Sequence, residues 1–308
     1  MTPARRHAPF FVALALVVAG ALGGLALDPR PARPVARRGP YRVLEADLHA
    51  HTSYSDGTLS PVSVVRQAER RGLDVIAVTE HNGVLAGRIA RAFSELVGGP
   101  TVIVGEEVTT GSFHLVALGL ERTVSPMQPL PEVIADVHAQ GGVAIAAHPV
   151  ARYHRAFDPV RGELDGVEVV HPVAYGSGGP GWRWSDMVAF YNETTPRPAA
   201  IGSSDYHVAT VLGLCRTLVF VEGEPSSANV IAALRARRTV VLGPGGERFG
   251  DPALVALLER EPYAPRTSDY AYAGEGPLDR VLRLAGLLGI AGLAFVAGPA
   301  RRGLTGRR

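Results

Sequence analysis

An α/β barrel is the fold class this sequence predicts, and three observations predict it. Short apolar, β-branched runs alternate with amphipathic segments from about residue 43 to 245. Runs such as "DVIAV" and "TVIV" are apolar on both faces, the pattern of parallel strands covered on both sides. Histidines and carboxylates collect at the carboxyl ends of these runs, where barrel chemistry gathers.

In chain order, Val43 to His49 reads as the first strand. Ser60 and Pro61 open a helix as N-cap and first helical residue, and Gly72 closes it. Asp74 to Thr79, Thr101 to Val108 and His114 to Gly119 are the next strands. Pro131 to Gln140 is helical and stops at Gly141-Gly142. Gly142 to Ala147, Gly166 to Val170 and Ala200 to Ser204 complete seven strands, and "SSANVIAALRARR" from Ser226 is a further helix. Seven strands alternating with helices close into a (β/α) barrel.

The chain has 308 residues, 46% of them hydrophobic, enough to bury a sizeable core. A net charge of +2 implies no broad basic surface, so duplex nucleic acid is not an expected partner. Cys215 is the single cysteine, which excludes an internal disulfide and a thiolate metal cage. All 31 basic residues are arginine. Without lysine, Schiff-base, P-loop and carbamylated-lysine chemistries are excluded.

Phe10 to Leu27 is apolar and uncharged, preceded by Arg5 and Arg6, and reads as a membrane anchor or an export signal. Leu284 to Gly298 reads as a second, glycine-rich span flanked by Arg283, Arg301 and Arg302. These spans predict a membrane-anchored protein, in contact with lipid, with its globular part outside the cytoplasm. The organisation expected is an anchor or signal over 1–27, a Pro/Arg linker over 28–40 and the barrel over 41–245. A connector over 246–279, a second transmembrane helix over 280–300 and a basic tail over 301–308 follow.

Residues i and i+2 of a strand share a face, so His49 and His51 both reach the barrel mouth, with Asp47 one step deeper. Glu80 and His81 end the second strand, Glu106 and Glu107 the third, His148 the fifth, and Asp205 and His207 the seventh. His114 opens its strand instead, and reaches the mouth if the connection from Glu107 is a tight hairpin. Six of ten histidines thus stand at element ends beside acids. Imidazole and carboxylate without thiolate suit Zn, Mn or Fe(II). Several carboxylates in one mouth repel unless cations neutralise them, which argues for more than one ion.

The ordered segments "DLHAHTSYSDG", "VIAVTEHN", "VGEEVT", "HLVALG", "AAHP" and "SSDYH" resemble the motifs of the polymerase and histidinol phosphatase (PHP) superfamily. The tail "VIAALRARRTVVLGPGG" is similar to a carbaryl-hydrolase-like branch of it. The resemblance implies a distorted (β/α)7 barrel holding two or three divalent ions. It implies one ion on His49, His51, Glu107 and Asp205, a second on Glu107, His114 and His148, and a third on Asp56, His81 and His207. Glu107 is taken over Glu106 because the family glutamate precedes a β-branched residue, here Val108. One departure stands out: the family has Asp before the His of its second motif, and this chain has Glu80.

The activity this implies is hydrolysis of a phosphate mono- or diester by a hydroxide bridging two ions. The substrate expected is a small phosphorylated compound or a nucleotide. Arg152 is the candidate phosphate grip, ahead of Arg183 and Arg216, and His171 or His154 the candidate proton donor to the leaving group. The loop from His171 to Trp184 carries Trp182 and Trp184 to shape a pocket. Hydrolysis of a carboxylic ester, carbamate or amide on the same barrel is the alternative enzyme, and a non-catalytic metal-binding module the alternative outside catalysis.

Overall fold

β-Branched and aromatic residues fit a pleated, half-buried surface, and the apolar runs form strands accordingly. The computed structural model describes residues 3–27, 36–208, 210–264 and 277–297. They fall into two units: residues 31–269, and the terminal segments 1–30 with 270–308.

The larger unit opens with β1 (Ala36–Arg38) and β2 (Tyr41–Asp47), then α2 (Pro61–Arg70), β3 (Val75–His81), α3 (Leu85–Val97) and β4 (Thr101–Thr109); the helix numbered α1 belongs to the terminal unit. β5 (His114–Leu118), α4 (Leu130–Ala139), β6 (Val143–Ala146), α5 (Ala151–Phe157) and β7 (Gly166–Val170) follow. Then come α6 (Trp184–Glu193), β8 (Ala199–Gly202), β9 (Thr217–Val221) and α7 (Ser227–Arg235). β10 (Thr239–Leu242), β11 (Arg248–Gly250) and α8 (Pro252–Arg260) end the unit. All seven expected strands are present as β2 to β8. The segment read as a connector carries β11 and α8, the latter capped by Asp251, whose Oδ1 accepts from Ala253 N at 2.7 Å.

The strands form one sheet in the order β11-β10-β9-β2-β3-β4-β5-β6-β7-β8. β2, β3 and β4 are mutually parallel, as are β6, β7 and β8. β5 is antiparallel to both neighbours, and β9 is antiparallel to β2. The sheet curls until β8 meets β9. There the Thr217 hydroxyl donates to the Gly202 carbonyl and accepts from the Gly202 N–H, both at 2.9 Å. A Cβ at Gly202 would lie 2.8 Å from the Arg216 carbonyl oxygen, so only glycine permits that approach. The result is a nearly closed barrel-like sheet.

Leu44, Ile103, Leu118, Ile145, Ile201 and Val219 pack inside it. α7 closes the floor: Ile231 lies against Gly119, and Arg235 donates to the Gly142 carbonyl at 3.0 Å. The other helices cover the outside, α2 and α3 on one side and α4 to α6 on the other. The end left open is the one bearing the polar side chains.

The terminal unit consists of α1 (Pro3–Leu27) and α9 (Pro277–Ala297). They approach closely because small residues face each other. A Cβ at Gly20 would lie 2.7 Å from Gly286 Cα, and one at Gly289 2.7 Å from the Ala13 carbonyl oxygen. The expectation of a membrane anchor and a second span is overturned. Among the described residues, no helix is long and apolar enough to cross a membrane. α9 carries Arg280 and Arg283 in its first turns. The transmembrane reading and the extracytoplasmic placement rested on those spans and fall with them. Of the remaining expectations, the linker residues 28–35 and the tail 301–308 lie outside the described residues.

Candidate metal centre

The site is built by extending the barrel strands past their ends. After β2 the chain pairs Ala50 with Tyr206, and His51 N donates to Tyr206 O at 3.0 Å. That pairing sets His49 and His51 beside Asp205 and His207. Asp47, buried below, accepts from Ser204 N (2.9 Å), Ser204 Oγ (2.6 Å) and Gly213 N (2.7 Å), and so ties down the loop carrying Asp205. β4 and β5 form the hairpin that brings His114 into the mouth, with Thr109 paired to His114. Strand alternation turns Glu107 inward and Glu106 outward. His148 and Asp205 hold left-handed φ values of 27° and 44°, rare for non-glycine residues and a form of strain that gathers at functional sites.

All nine expected ligands meet in this mouth. Glu107 Oε1 lies 2.8 Å from His114 Nδ1 and 3.1 Å from His148 Nε2. Its Oε2 lies 3.6 Å from His49 Nε2 and 3.5 Å from His51 Nε2. Asp205 Oδ1 lies 3.2 and 3.4 Å from the same two nitrogens. Asp56 Oδ2 lies 3.3 Å from His81 Nε2 and 3.2 Å from His207 Nε2. Three groups have ligand atoms within 4.8 Å of one another: Glu107, His114 and His148; His49, His51 and Glu107; and His51, Asp56, His81 and His207.

The proton placement shows that a cation fits. His49 Nδ1 faces the buried Glu168 Oε1 at 2.9 Å and donates to it. His207 Nδ1 donates to the Asp205 carbonyl oxygen at 2.9 Å. The inner nitrogens of neutral His49 and His207 are therefore bare, and both face carboxylate oxygens. Asp205 Oδ1 is buried and accepts no hydrogen bond among the described residues. Acceptors facing acceptors at 3.2 Å repel unless positive charge lies between them. In the metal-free chain a proton answers this. Burial works against charge on His49, but Asp205, Glu168 and Glu107 raise its pKa well above the ordinary value. Burial also resists ionisation of Glu107 and Asp205, yet His49 and its neighbours hold both well below the usual carboxylate range. A divalent ion satisfies the same charges while displacing the proton.

Two buried acids support the ligands; the sequence left Glu168 without a role and placed Glu80 as an outer contact to His81. Glu168 takes His49 Nδ1 on one oxygen and His148 N, at 2.7 Å, on the other. Its signal was available: a single acid inside the apolar strand "GVEVV". Glu80 does not contact His81. It accepts from Thr52 N at 2.8 Å and from Ser55 Oγ, under the loop that carries Asp56.

One wall of the mouth is cationic and aromatic. The Arg152 guanidinium sits 4.5 Å over the Tyr153 ring and 5.1 Å over the Trp182 ring. Trp182 lies beside His148 and stacks on His171 at 6.0 Å. His171 Nδ1 accepts from Val173 N at 3.3 Å, so Nε2 carries the proton and donates to Asp205 Oδ2 at 3.2 Å. The other candidates are engaged elsewhere. Arg216 pairs with the buried Glu45, and Arg183 with Asp186 at 3.0 Å. His154 bonds the Pro149 carbonyl at 2.9 Å, and Trp184 donates to the Val169 carbonyl at 2.7 Å.

Residues 47–147 match the PHP domain family. An uncharacterised protein of Methanocaldococcus jannaschii is 32% identical over 142 residues, covering 41% of this chain and 81% of that protein. A 5′-3′ exoribonuclease of Haemophilus influenzae is 33% identical over 88 residues, 27% of this chain and 32% of that enzyme. The chain thus spans only about a third of that relative's length. In the solved structures, a two-domain protein of Bacteroides vulgatus, described as containing a predicted PHP-like metal-dependent phosphoesterase, superposes with a TM-score of 0.60. It is 21% identical and covers 75% of this chain and 74% of that one, a likeness of fold. The chain belongs to the PHP domain family, and its barrel is the fold of PHP-like metal-dependent phosphoesterases.

Proposed function

We propose that this chain hydrolyses a phosphate mono- or diester with two or three divalent ions, Mn, Zn or Fe. One observation carries the reading: bare imidazole nitrogens and ionised carboxylates converge at the mouth beneath the Arg152 guanidinium. In the proposed assignment His49, His51, Glu107 and Asp205 hold one ion, Glu107, His114 and His148 a second, and Asp56, His81 and His207 a third. Ions there would supply Lewis-acid charge and a water acidified towards neutral pH.

The chain's own residues do the rest. Arg152, pinned between Tyr153 and Trp182, binds a phosphoryl oxygen by charge-assisted hydrogen bonds. His171 fixes the Asp205 carboxylate through its Nε2–H. Glu168 keeps the His49 proton on the outer nitrogen.

The test is turnover of an aryl phosphate, an aryl phosphodiester and an aryl carboxylic ester by the full chain, with added Mn(II) and with chelator. Phosphate release that chelator abolishes is expected. Cleavage of the carboxylic ester alone would move the chemistry to the other hydrolase class, and no turnover despite bound ions would favour a binding module. Arg152→Ala is expected to raise KM for phosphate at least tenfold, the loss of one charge-assisted contact. An unchanged KM would remove Arg152 from the site.

A further inference from the structure

The loop from Ala50 to Leu59 contributes two groups to the centre, His51 and Asp56, and both touch the same side chain. Ser55 Oγ lies 3.4 Å from His51 Nδ1 and 3.2 Å from Asp56 Oδ1. Its nearest neighbour is Glu80 Oε2. Glu80 is 4% exposed and binds the loop at two points, through Thr52 N and Ser55 Oγ. The hydroxyl has one proton to give, and the closest, buried acceptor is Glu80. Its lone pairs then remain for His51 Nδ1–H. That leaves His51 Nε2 bare towards His49, 3.0 Å away, and towards Asp205. Asp56 gains no donor from Ser55, so its charge stays available to the side facing His81 and His207.

We infer that Glu80, acting through Ser55, is the positioning residue for the loop's two metal-site groups, setting the His51 tautomer and the placement of Asp56. The inference rests on the metal-site reading above, but the residues concerned are this chain's own. Glu80 stands where the family has Asp. The longer side chain reaches both loop contacts at once, one with each carboxylate oxygen, and a side chain one methylene shorter would draw the carboxylate back from both. His49 has its carboxylate directly, in Glu168; His51 has its own at one remove, through a hydroxyl. Such outer contacts typically change metal affinity 10- to 100-fold.

Two readouts on the full chain test this. In the metal-free protein at pH 8, long-range proton–nitrogen spectra should show His51 protonated at Nδ1, assigned by its loss in His51→Ala. Ser55→Ala should shift population to the Nε2–H form. Titration with Mn(II) against a chelator should show binding at Asp56, identified by its loss in Asp56→Asn, weakened 10- to 100-fold in Ser55→Ala and in Glu80→Asp. An unchanged tautomer and unchanged affinity in Ser55→Ala would overturn the inference. If the unaltered chain took up no Mn(II), the metal-site reading would fail, and the tautomer comparison would still decide the role of Ser55.

Discussion

Glu106 and Glu107 are adjacent and chemically identical, yet the fold gives them opposite tasks. Glu107 faces five imidazoles in the mouth, those of His49, His51, His81, His114 and His148; Glu106 faces the apolar cluster outside the barrel, where Val124 N donates to it at 2.5 Å. Its second oxygen is buried without a partner among the described residues. Burial pushes the Glu106 pKa up to about 7, from an ordinary value of about 4.3. Between those values the folded chain keeps a proton that the unfolded chain has released. Stability therefore falls as pH rises through that window, by something on the order of 3 kcal/mol at most. Glu106→Gln is expected to make this fall smaller, measured as urea midpoints at pH 5 and pH 8. A wild-type midpoint that does not drop between them would contradict it. Glu107→Gln, by contrast, is expected to leave folding intact and to lower ion uptake and turnover at least a hundredfold, read by elemental analysis and phosphate release. Alternation in the sequence showed that only one of the pair faces the mouth. Which one followed from resemblance, and the hairpin register makes the reason visible: Glu107 pairs with Val116, two residues from His114.

At the scale of elements, seven strands were legible because covered parallel strands read as unbroken apolar runs. β9 and β10 were not, although "TLVFV" and "TVVL" are apolar too. Their place depends on antiparallel pairing across the chain, Val43 with Phe220 and Thr239 with Val219, and no local pattern carries that. The terminal helices show the opposite error. Their hydropathy was legible, but it does not distinguish a lipid-facing side from a face packed on a partner helix. The glycines facing Ala13 and Gly286 belong to the second case. The loop after β2 is an element in its own right, and Gly57 is its tightest point. A Cβ there would lie 2.5 Å from the His51 carbonyl oxygen, a backbone atom that cannot step aside. Gly57→Ala is expected to displace Asp56 and weaken ion binding at that group tenfold or more, with Asp56→Asn as the reference. Glu168→Gln is expected to weaken ion affinity 10- to 100-fold by releasing His49 Nδ1.

At the scale of the whole molecule, the barrel is a charged cavity whose balance is kept by protons until ions replace them. His49 must lose its proton to bind an ion, and its raised pKa makes affinity fall as pH falls. Mn(II) added in weak buffer near pH 7 should therefore release protons, seen as acidification. Because ions bind the folded chain, saturation at a hundred times Kd should add about 2.7 kcal/mol of stability that chelator removes. Both follow from one claim, that scattered imidazoles and acids meet in a single cation-binding mouth. The most direct measurement of that claim is anomalous scattering from crystals of the full chain grown with Mn(II). The account predicts peaks between Glu107, His114 and His148, and between His49, His51 and Asp205. A map with no peak in the mouth, or with ions held only by other residues, would contradict it.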